Sequence, residues 1–504
     1  MTSKVELLRT LDFGDRVAEF EVANLANYFV YTDLWRTTAA GEVDLIIGAK
    51  GSGKSALYSM LMARSADFAA RDIALITAEN ATGHTVFKDL TPDPPPTEKE
   101  FIALWKLYIL ALLGQALMTA EVDSAAAQQV KEALVNEGLL TSDSLSIGER
   151  LRLTAAAVKS AFRPSEITQS TSLDQTGAIT GFATTLVFRQ PTSAERSQGA
   201  RSLDDLLALA NEALLETETS IWILFDRLDV AFAESPAVER LGLRALIKTY
   251  LDLVPYTQIR PKIFLRSDIL RQLVAGGFRE ASHITKTFEI KWAPADLLNL
   301  VVRRLVANRS LIEWSGVTAA EVLATGANQR KFFDSLVPEK VDKGNNPRTF
   351  DWILGRVQDG TKQAAPREVI HLLTEAKKAQ VARLDRGELA PVGAELFSAL
   401  AFRDAVEPVS DARLDGAIYA EYPDLRPSIE GLEGEKAEQT IETLMVAWNV
   451  DAGEAEKRAR LLVDIGFFEK RGERRSPKYW VPLLYRPALN LVQGSAETRH
   501  TRKR

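Results

Sequence analysis

The residues with the clearest capacity for chemistry stand together in residues 43–55, which read V-D-L-I-I-G-A-K-G-S-G-K-S. The second part fits the pattern G-x-x-x-x-G-K-[ST], in which a glycine-rich loop surrounds phosphate oxygens with backbone N–H groups. The lysine of this pattern reaches the outer phosphates and the final hydroxyl binds Mg²⁺. The stretch therefore predicts a site for a nucleoside triphosphate.

Each position of the loop has an expected role. Three glycines, Gly48, Gly51 and Gly53, are expected to permit positive φ angles and close approach of the backbone to phosphate. Lys54 is assigned to the β- and γ-phosphates and Ser55 to Mg²⁺. The residues expected to contact the nucleotide are Gly48, Lys50, Gly51, Ser52, Gly53, Lys54, Ser55 and Ala56.

A second candidate group follows the apolar run I-W-I-L-F at residues 221–225. Asp226 ends this run and, downstream of a phosphate loop, is predicted to hold Mg²⁺ through water beside Ser55. Asp229, three residues further on, is predicted to orient the attacking water. The alternative for Asp229 is a carboxylate that caps the start of a helix.

Two arginines complete the candidate site. Arg266 follows an apolar strand at residues 262–265 and occupies a position suited to a γ-phosphate sensor. Arg367 follows Pro366, a residue favoured in the first turn of a helix. Because a cation at that end opposes the helix dipole, a functional role is favoured over a surface salt bridge.

The elements that must position these residues are short apolar strands separated by helices. Strands are predicted at residues 43–47, 73–77, 221–226, 262–265 and 284–290. Alternation of this kind is typical of a parallel sheet with its ligand at the carboxyl ends of the strands. The predicted fold class is α/β, a P-loop NTPase sheet of about five strands with a helical insertion, a helical lid and a C-terminal winged helix.

The domain organisation is predicted from breaks in these patterns. The expected parts are an N-terminal helical segment at 1–42, an ATPase core at 43–295 with a mostly helical insertion at 98–215, a helical lid at 296–387, a winged-helix-like domain at 388–492 and a basic tail at 493–504. A helix is expected over residues 17–37. Residues 183–188 fit either a strand of a hairpin or a loop.

Composition excludes several classes of protein. The chain has 62 Lys and Arg against 68 Asp and Glu, a net charge of −6, so overall charge does not indicate nucleic acid. It has no cysteine, which excludes disulfides, thiolate nucleophiles and cysteine zinc sites. No signal peptide is expected in residues 1–16 and no segment is expected to span a membrane. A cytoplasmic protein with no membrane partner is expected.

Together these motifs resemble the AAA+/STAND branch of P-loop ATPases, especially prokaryotic members with a C-terminal winged helix. The resemblance covers residues 17–490 and is carried by G-A-K-G-S-G-K-S at 48–55, I-W-I-L-F-D-R-L-D at 221–229, K-I-F-L-R-S-D at 262–268, A-P-R-E-V-I at 365–370 and I-G-F-F-E-K-R at 465–471. It implies that residues 266–268 match the first sensor and that Arg367 matches the second, which contacts the γ-phosphate from the lid.

The resemblance further implies Mg²⁺-dependent ATP hydrolysis coupled to homo-oligomerisation or to an effector protein, with a role in defence against phages or mobile elements. One position departs from the AAA+ pattern. Arg227 stands where members of that class carry glutamate after the strand's aspartate. Asp229 would substitute for it, as in STAND and KAP-type chains, and slow turnover is expected.

The alternative function is a winged-helix regulator that binds nucleic acid and uses ATP only as a structural ligand. Residues 454–478 contain eight Lys and Arg against five acids, a net charge of +3. Such a patch either contacts nucleic acid or is a solvated face. A G-protein-type GTPase is not favoured, because the sequence contains no N-K-x-D motif.

Overall fold

The computed structural model describes residues 3–15, 21–78, 97–140, 146–162, 171–173, 179–182, 184–228, 235–473 and 476–495. Within these ranges the strands are β1 Leu45–Gly48, β2 Ile73–Thr77, β3 Thr171–Leu173, β4 Ile179–Phe182, β5 Thr185–Val187, β6 Ala200–Ser202, β7 Ser220–Phe225, β8 Ile259–Arg266, β9 Thr287–Glu289, β10 Lys436–Gln439, β11 Glu469–Glu473, β12 Ser476–Trp480 and β13 Val492–Ser495.

The helices are α1 Lys4–Thr10, α2 Val22–Tyr28, α3 Asp33–Ala39, α4 Lys54–Ala63, α5 Ser65–Ala69, α6 Glu98–Thr119, α7 Ala125–Asn136, α8 Ile147–Phe162, α9 Ser193–Ser197, α10 Leu203–Glu216, α11 Pro236–Leu253, α12 Ser267–Ala275, α13 Pro294–Val306, α14 Arg309–Ser315, α15 Ala319–Leu323, α16 Gly326–Leu336, α17 Thr349–Val357, α18 Pro366–Asp385, α19 Ala399–Asp404, α20 Val406–Arg413, α21 Arg426–Glu430, α22 Ile441–Trp448 and α23 Ala452–Asp464. A π-helix, Leu414–Tyr419, follows α20, and short 3₁₀-helices occur at Arg279–His283 and Pro423–Leu425.

The chain divides into two compact units, which we describe separately. The sheet unit consists of Leu34–Ile47 and Leu57–Glu289. The lid unit consists of Met1–Asp33, Gly48–Ala56 and Ile290–Arg504. The finer domain boundaries expected from the sequence stay a prediction.

A five-stranded sheet in the order β2-β7-β8-β1-β9 forms the centre of the sheet unit. The pairs β2–β7, β7–β8 and β1–β9 are parallel. Strand β7 is buried from Ile221 onward, as expected where helices cover both faces of a parallel sheet. This arrangement confirms the predicted α/β class with about five strands.

The helices expected in the insertion share a core with the sheet. Helix α6 is buried along most of its length, and its Trp105 and Tyr108 donate hydrogen bonds to the carbonyls of Gly242 (2.8 Å) and Ala78 (2.6 Å). By length and composition α6 is apolar enough to cross a membrane, but 78% of its most apolar window is buried inside the fold. Its apolar surface is thus accounted for by the core.

Two details of this region differ from expectation. Strand β5 pairs with β6, so residues 185–187 do form a strand, but the pairing is parallel. The prediction of a hairpin is therefore wrong here, since the two strands of a hairpin are antiparallel. Helix α9 lies in the connection between the two parallel strands, which a tight turn could not join. Residues 171–173 and 179–182 pair antiparallel as β3 and β4.

A buried ion pair lies inside the sheet unit. The Nζ of Lys262 on β8 is completely inaccessible and donates to Asp44 Oδ1 (2.7 Å) and to the carbonyl of Val43 (2.6 Å). It also lies 4.2 Å from the ring centroid of Trp222, and Tyr250 donates to the other oxygen of Asp44 at 3.3 Å. Burial lowers the pKa of Lys262 to about 8, although Asp44 acts in the opposite direction.

The N-terminal segment belongs to the lid unit. Leu7 and Leu8 of α1 are fully buried in its core. Further along, the guanidinium of Arg304 donates to both oxygens of Glu21 (2.8 and 2.9 Å) and lies 4.3 Å from the ring centroid of Tyr28. These contacts fix the segment to α13.

The single helix expected over residues 17–37 is wrong. Helix α2 ends at Tyr28, Phe29 has extended backbone angles, and a new helix, α3, begins at Asp33. The apolar spacing of this region suits a helix throughout, but Asp33 lies at the point where the chain passes from the lid unit to the sheet unit. The expected helix is broken at Phe29, whose backbone is extended with φ −60° and ψ 135°.

The C-terminal part of the lid unit contains a small mixed sheet in the order β11-β12-β10-β13. Strands β10 and β12 pair antiparallel, as do β11 and β12. Helices α22 and α23 lie between β10 and β11 in the chain. A strand, two helices and a two-stranded hairpin in this sheet order form the predicted winged helix.

Candidate nucleotide-binding site

The phosphate loop connects β1, which ends at Gly48, to α4, which begins at Lys54. Gly51 (φ 80°) and Gly53 (φ 98°) have the positive φ angles that glycine permits. Gly48 does not have a positive φ, so the predicted positive φ at this residue is wrong. A Cβ at Gly48 would lie 2.3 Å from Ser52 Oγ, so a side chain there would require the Ser52 hydroxyl to move.

Lys54 is held by the loop itself. Its Nζ donates to the carbonyls of Gly48 (2.9 Å) and Ala49 (3.1 Å), and the side chain is half-buried. The two carbonyls orient the ammonium group within the loop, where the pattern requires a cation. The first turn of α4 contains no acidic residue, so the positive end of its dipole remains available to an anion.

Ser52 gives the loop an unsatisfied donor. The residue is 4% exposed, and its Oγ has no hydrogen-bond partner in the described part of the chain. A buried hydroxyl without a partner costs roughly 1–3 kcal/mol. A loop with such a donor, two glycines at positive φ and a lysine oriented by its own carbonyls fits a polyphosphate.

Three segments of the lid unit contact this loop. The indole Nε1 of Trp292 donates to the carbonyl of Ser52 at 2.8 Å. The Nζ of Lys50 lies 2.5 Å from Glu421 Oε1 and donates to the carbonyl of Gly416 at 3.1 Å. Neither Trp292 nor Glu421 is predicted as a site residue from the sequence. The one indication for Trp292 is its position two residues before Pro294, which begins a helix.

The third segment is the start of α18. The helix begins at Pro366 with Ala365 as its cap residue, as predicted. A Cβ on Gly51 would lie 2.9 Å from the Cβ of Arg367 and 3.4 Å from Glu368 Oε2, so the loop and this first turn are in direct contact. Only a glycine fits there, and the structure thus brings Arg367 to the loop.

Glu368 anchors this first turn to the C-terminal part of the lid unit. Its carboxylate is buried and accepts a hydrogen bond from the buried guanidinium of Arg413 at 2.9 Å. Arg413 is the last residue of α20, directly before the π-helix that carries Gly416. The contact of Gly51 with Arg367 and the contact of Lys50 with Gly416 are therefore supported by one connected set of residues.

In the sheet unit, Asp226 directly follows β7 and is 4% exposed. The next residue, Arg227, has a φ of 58°, an angle that residues other than glycine seldom adopt. Strained backbone of this kind costs about 1–3 kcal/mol and is concentrated at functional sites. Asp229 lies outside the described residues, so its predicted contact with water stays a prediction.

Arg266 is the last residue of β8, the neighbour of β7 in the sheet. Its guanidinium is buried and forms two hydrogen bonds with Asp268, at 2.5 and 3.1 Å. The carboxylate two residues away therefore fixes the orientation of the arginine. Its role as a sensor stays a prediction.

The winged helix presents a basic surface whose charges are paired with acids. On α23, Arg458 contacts Glu454 and Arg460 contacts Glu456, both at 2.8 Å. The hairpin repeats the pattern, with Lys478 at 2.8 Å from Glu438. Residues 474 and 475 lie outside the described ranges. Exposed ion pairs of this kind are weak, so contact of residues 454–478 with nucleic acid stays a prediction.

Comparison with known proteins gives structural neighbours only. No protein-family model matches the chain, and no curated protein matches its sequence. The chain is similar to the Aeropyrum pernix ORC1 protein, solved in complex with DNA, at 11% identity and a TM-score of 0.33 over 97% of this chain and 98% of that one. It is also similar to the Aeropyrum pernix ORC2 protein, solved as ADPNP-ADP complexes, at 11% identity and a TM-score of 0.35 over 96% of each chain. A further structure of that ORC2 protein, in its ADP form, has 13% identity and a TM-score of 0.28 over 94% of this chain and 90% of that chain.

Proposed function

We propose that the chain binds ATP with Mg²⁺ and hydrolyses it slowly, as a molecular switch of AAA+/STAND type. The observation that carries the proposal is the phosphate loop, in which the full sequence pattern coincides with the required local geometry. Lys54 is oriented by Gly48 and Ala49, and Gly51 and Gly53 have positive φ. Adenine is proposed as the base from the resemblance to AAA+/STAND ATPases, and the absence of an N-K-x-D motif argues against a G protein.

The proposed roles follow from charge and position. Lys54 neutralises the outer phosphates, and Ser55 and Asp226 are the proposed ligands of Mg²⁺. A bound Mg²⁺ would stabilise negative charge that develops on the phosphates during hydrolysis. Asp229 is proposed to orient the attacking water in place of the residue that Arg227 replaces.

The proposed switch depends on the contact between the loop and the first turn of α18. Arg367 is proposed to contact the γ-phosphate, the group that distinguishes ATP from ADP. Loss of that phosphate would remove the charge that holds Arg367, and the lid unit would then change its conformation. By its resemblance the chain is further proposed to couple this change to self-assembly or to an effector protein in antiviral defence. Sizing the protein with and without ATP and Mg²⁺ tests the assembly step.

The two aspartates should separate binding from turnover. Asp226→Asn removes charge without changing shape, so it should weaken nucleotide binding about tenfold in the presence of Mg²⁺ and little in its absence. Asp229→Asn should leave binding within about twofold of the parent and reduce turnover at least about a hundredfold. Calorimetry with and without Mg²⁺ and a phosphate-release assay measure these quantities. Parental turnover in Asp229→Asn would assign Asp229 to helix capping.

Arg367→Ala should reduce the preference for ATP over ADP by about ten- to a hundredfold, because a charge-assisted hydrogen bond to the γ-phosphate contributes roughly 1.5–3 kcal/mol. Affinities for ADP and for a non-hydrolysable ATP analogue are compared by calorimetry. Arg386→Ala, at the other end of the same helix, is the matched control and should leave the ratio unchanged. An unaltered ratio in Arg367→Ala would leave Arg367 without a sensor role.

A further inference from the structure

The peptide between Ser52 and Gly53 is restrained from outside the loop. Its carbonyl accepts the hydrogen bond from the indole of Trp292, and a Cβ built on Gly53 would lie 3.8 Å from Cζ2 of the same ring. Trp292 itself is half-buried against the core of the lid unit. The donor on this carbonyl is therefore a rigid group.

A donor on the carbonyl also fixes the N–H of the following residue. In a planar trans peptide the C=O and the N–H point in opposite directions. The bond from Trp292 to Ser52 thus directs the N–H of Gly53 away from the indole. Without this bond the peptide could rotate at low cost, because Gly53 has no Cβ to restrict its φ angle of 98°.

We infer that Trp292 is a positioning residue of the nucleotide site, which holds the N–H of Gly53 in the direction required to donate to a phosphate oxygen. The inference rests on the proposed function of the loop. The amide group of Gly53 is part of the loop that surrounds the phosphates common to ATP and ADP. Trp292 therefore sets affinity for both nucleotides, whereas Arg367 sets the difference between them.

Trp292 also lies next to the start of α13. Ala293 and Pro294 follow it, and Pro294 is the first residue of α13. The loop therefore contacts the starts of two helices of its own unit, α13 through Trp292 and α18 through Arg367.

The test uses the full-length chain and two substitutions. Trp292→Phe keeps an aromatic ring and removes the donor, and it should weaken ADP and a non-hydrolysable ATP analogue equally, each about fivefold, the effect of one hydrogen bond. Trp292→His keeps an N–H donor and should recover part of the loss. Affinities are measured by calorimetry, and the ratio between the two nucleotides should stay at the parental value.

Trp448→Phe is the matched control. The indole of Trp448 donates to the carbonyl of Ser428 at 2.6 Å, in the same unit, in the winged-helix region. This substitution removes the same kind of bond and should leave nucleotide affinity unchanged. Equal loss of affinity in both phenylalanine variants would mean general destabilisation and would overturn the inference, as would parental affinity in Trp292→Phe.

A spectroscopic measurement remains valid if Trp292→Phe does not fold. The chain contains eight tryptophans, and the indole ¹⁵N resonance missing from Trp292→His identifies Trp292. In the parent that resonance should shift when ADP or the ATP analogue is added, and a resonance that does not move during saturation would refute the inference. If the parent binds neither nucleotide, the proposed function fails first.

Discussion

Replacing Lys54 with alanine should weaken ATP binding at least about a hundredfold while hardly changing the free energy of unfolding. The ammonium group is half-buried, and within the loop it donates to the carbonyls of Gly48 and Ala49. Each charge-assisted hydrogen bond to a phosphate contributes roughly 1.5–3 kcal/mol, so the loss of two such bonds accounts for the expected change. Calorimetry gives the affinity and denaturant unfolding gives the stability.

A matched control separates the role of this lysine from a general effect of charge. Lys331 is an exposed lysine on α16, in the same unit as the loop. Lys331→Ala removes the same charge and should bind ATP like the parent. If a folded Lys54→Ala protein bound ATP as tightly as Lys331→Ala, the loop would not be a phosphate site.

Replacing Asp44 with alanine should destabilise the protein by about 3–5 kcal/mol near pH 7, the usual effect of removing one partner of a buried ion pair. The ammonium of Lys262 is fully buried and would lose the carboxylate of Asp44, whose Oδ1 lies 2.7 Å away. The carbonyl of Val43 and the ring of Trp222 would remain, but neither carries a full negative charge. Denaturant unfolding measures the change.

A double substitution is the control for this prediction. Asp44→Leu combined with Lys262→Met replaces both charges by apolar groups of similar length, and such replacements are often neutral or stabilising. The double variant should therefore be more stable than Asp44→Ala. If it were equally unstable, the loss in Asp44→Ala would reflect packing and not an unpaired charge.

The pH dependence of this pair has a defined sign. In the folded protein the pKa of Lys262 is about 8, below its ordinary value of 10.5, because burial disfavours the ammonium form. Between these values the unfolded chain binds more protons, so the contribution of Lys262 to stability rises from pH 8 to pH 10.5. The difference in stability between the parent and the double variant should therefore shift in favour of the parent over this window.

The sequence identified the parts of the site that depend on local patterns. The phosphate loop, the strand that precedes Asp226 and the start of α18 at Pro366 are each encoded within a few residues, and all were predicted at their observed positions. The left-handed backbone of Arg227 was not predicted. The arginine at position 227 departs from the AAA+ pattern, but an arginine in a sequence does not indicate that its φ angle is positive.

Contacts between segments that are far apart in the chain could not be predicted from the sequence. Trp292 and Ser52 are 240 residues apart, Lys50 and Gly416 are 366 apart, and Lys262 and Asp44 are 218 apart. A lysine next to an apolar run gives no information about its partner until the strands are paired. The parallel pairing of β5 with β6 was missed for a different reason, because strands of three residues carry too short a pattern.

The contact of Lys50 with Gly416 and Glu421 also bears on the order of synthesis. A ribosome that adds about 5–20 residues per second finishes the loop roughly 20–70 s before it reaches residues 366 positions later. Trp292 and Arg367 are added late in that interval and Glu421 only after it, so for most of the interval the nascent loop lacks its contacts with these residues. We expect tight ATP binding to begin only after residue 421 has been added, because the loop gains its contacts with Gly416 and Glu421 at that point.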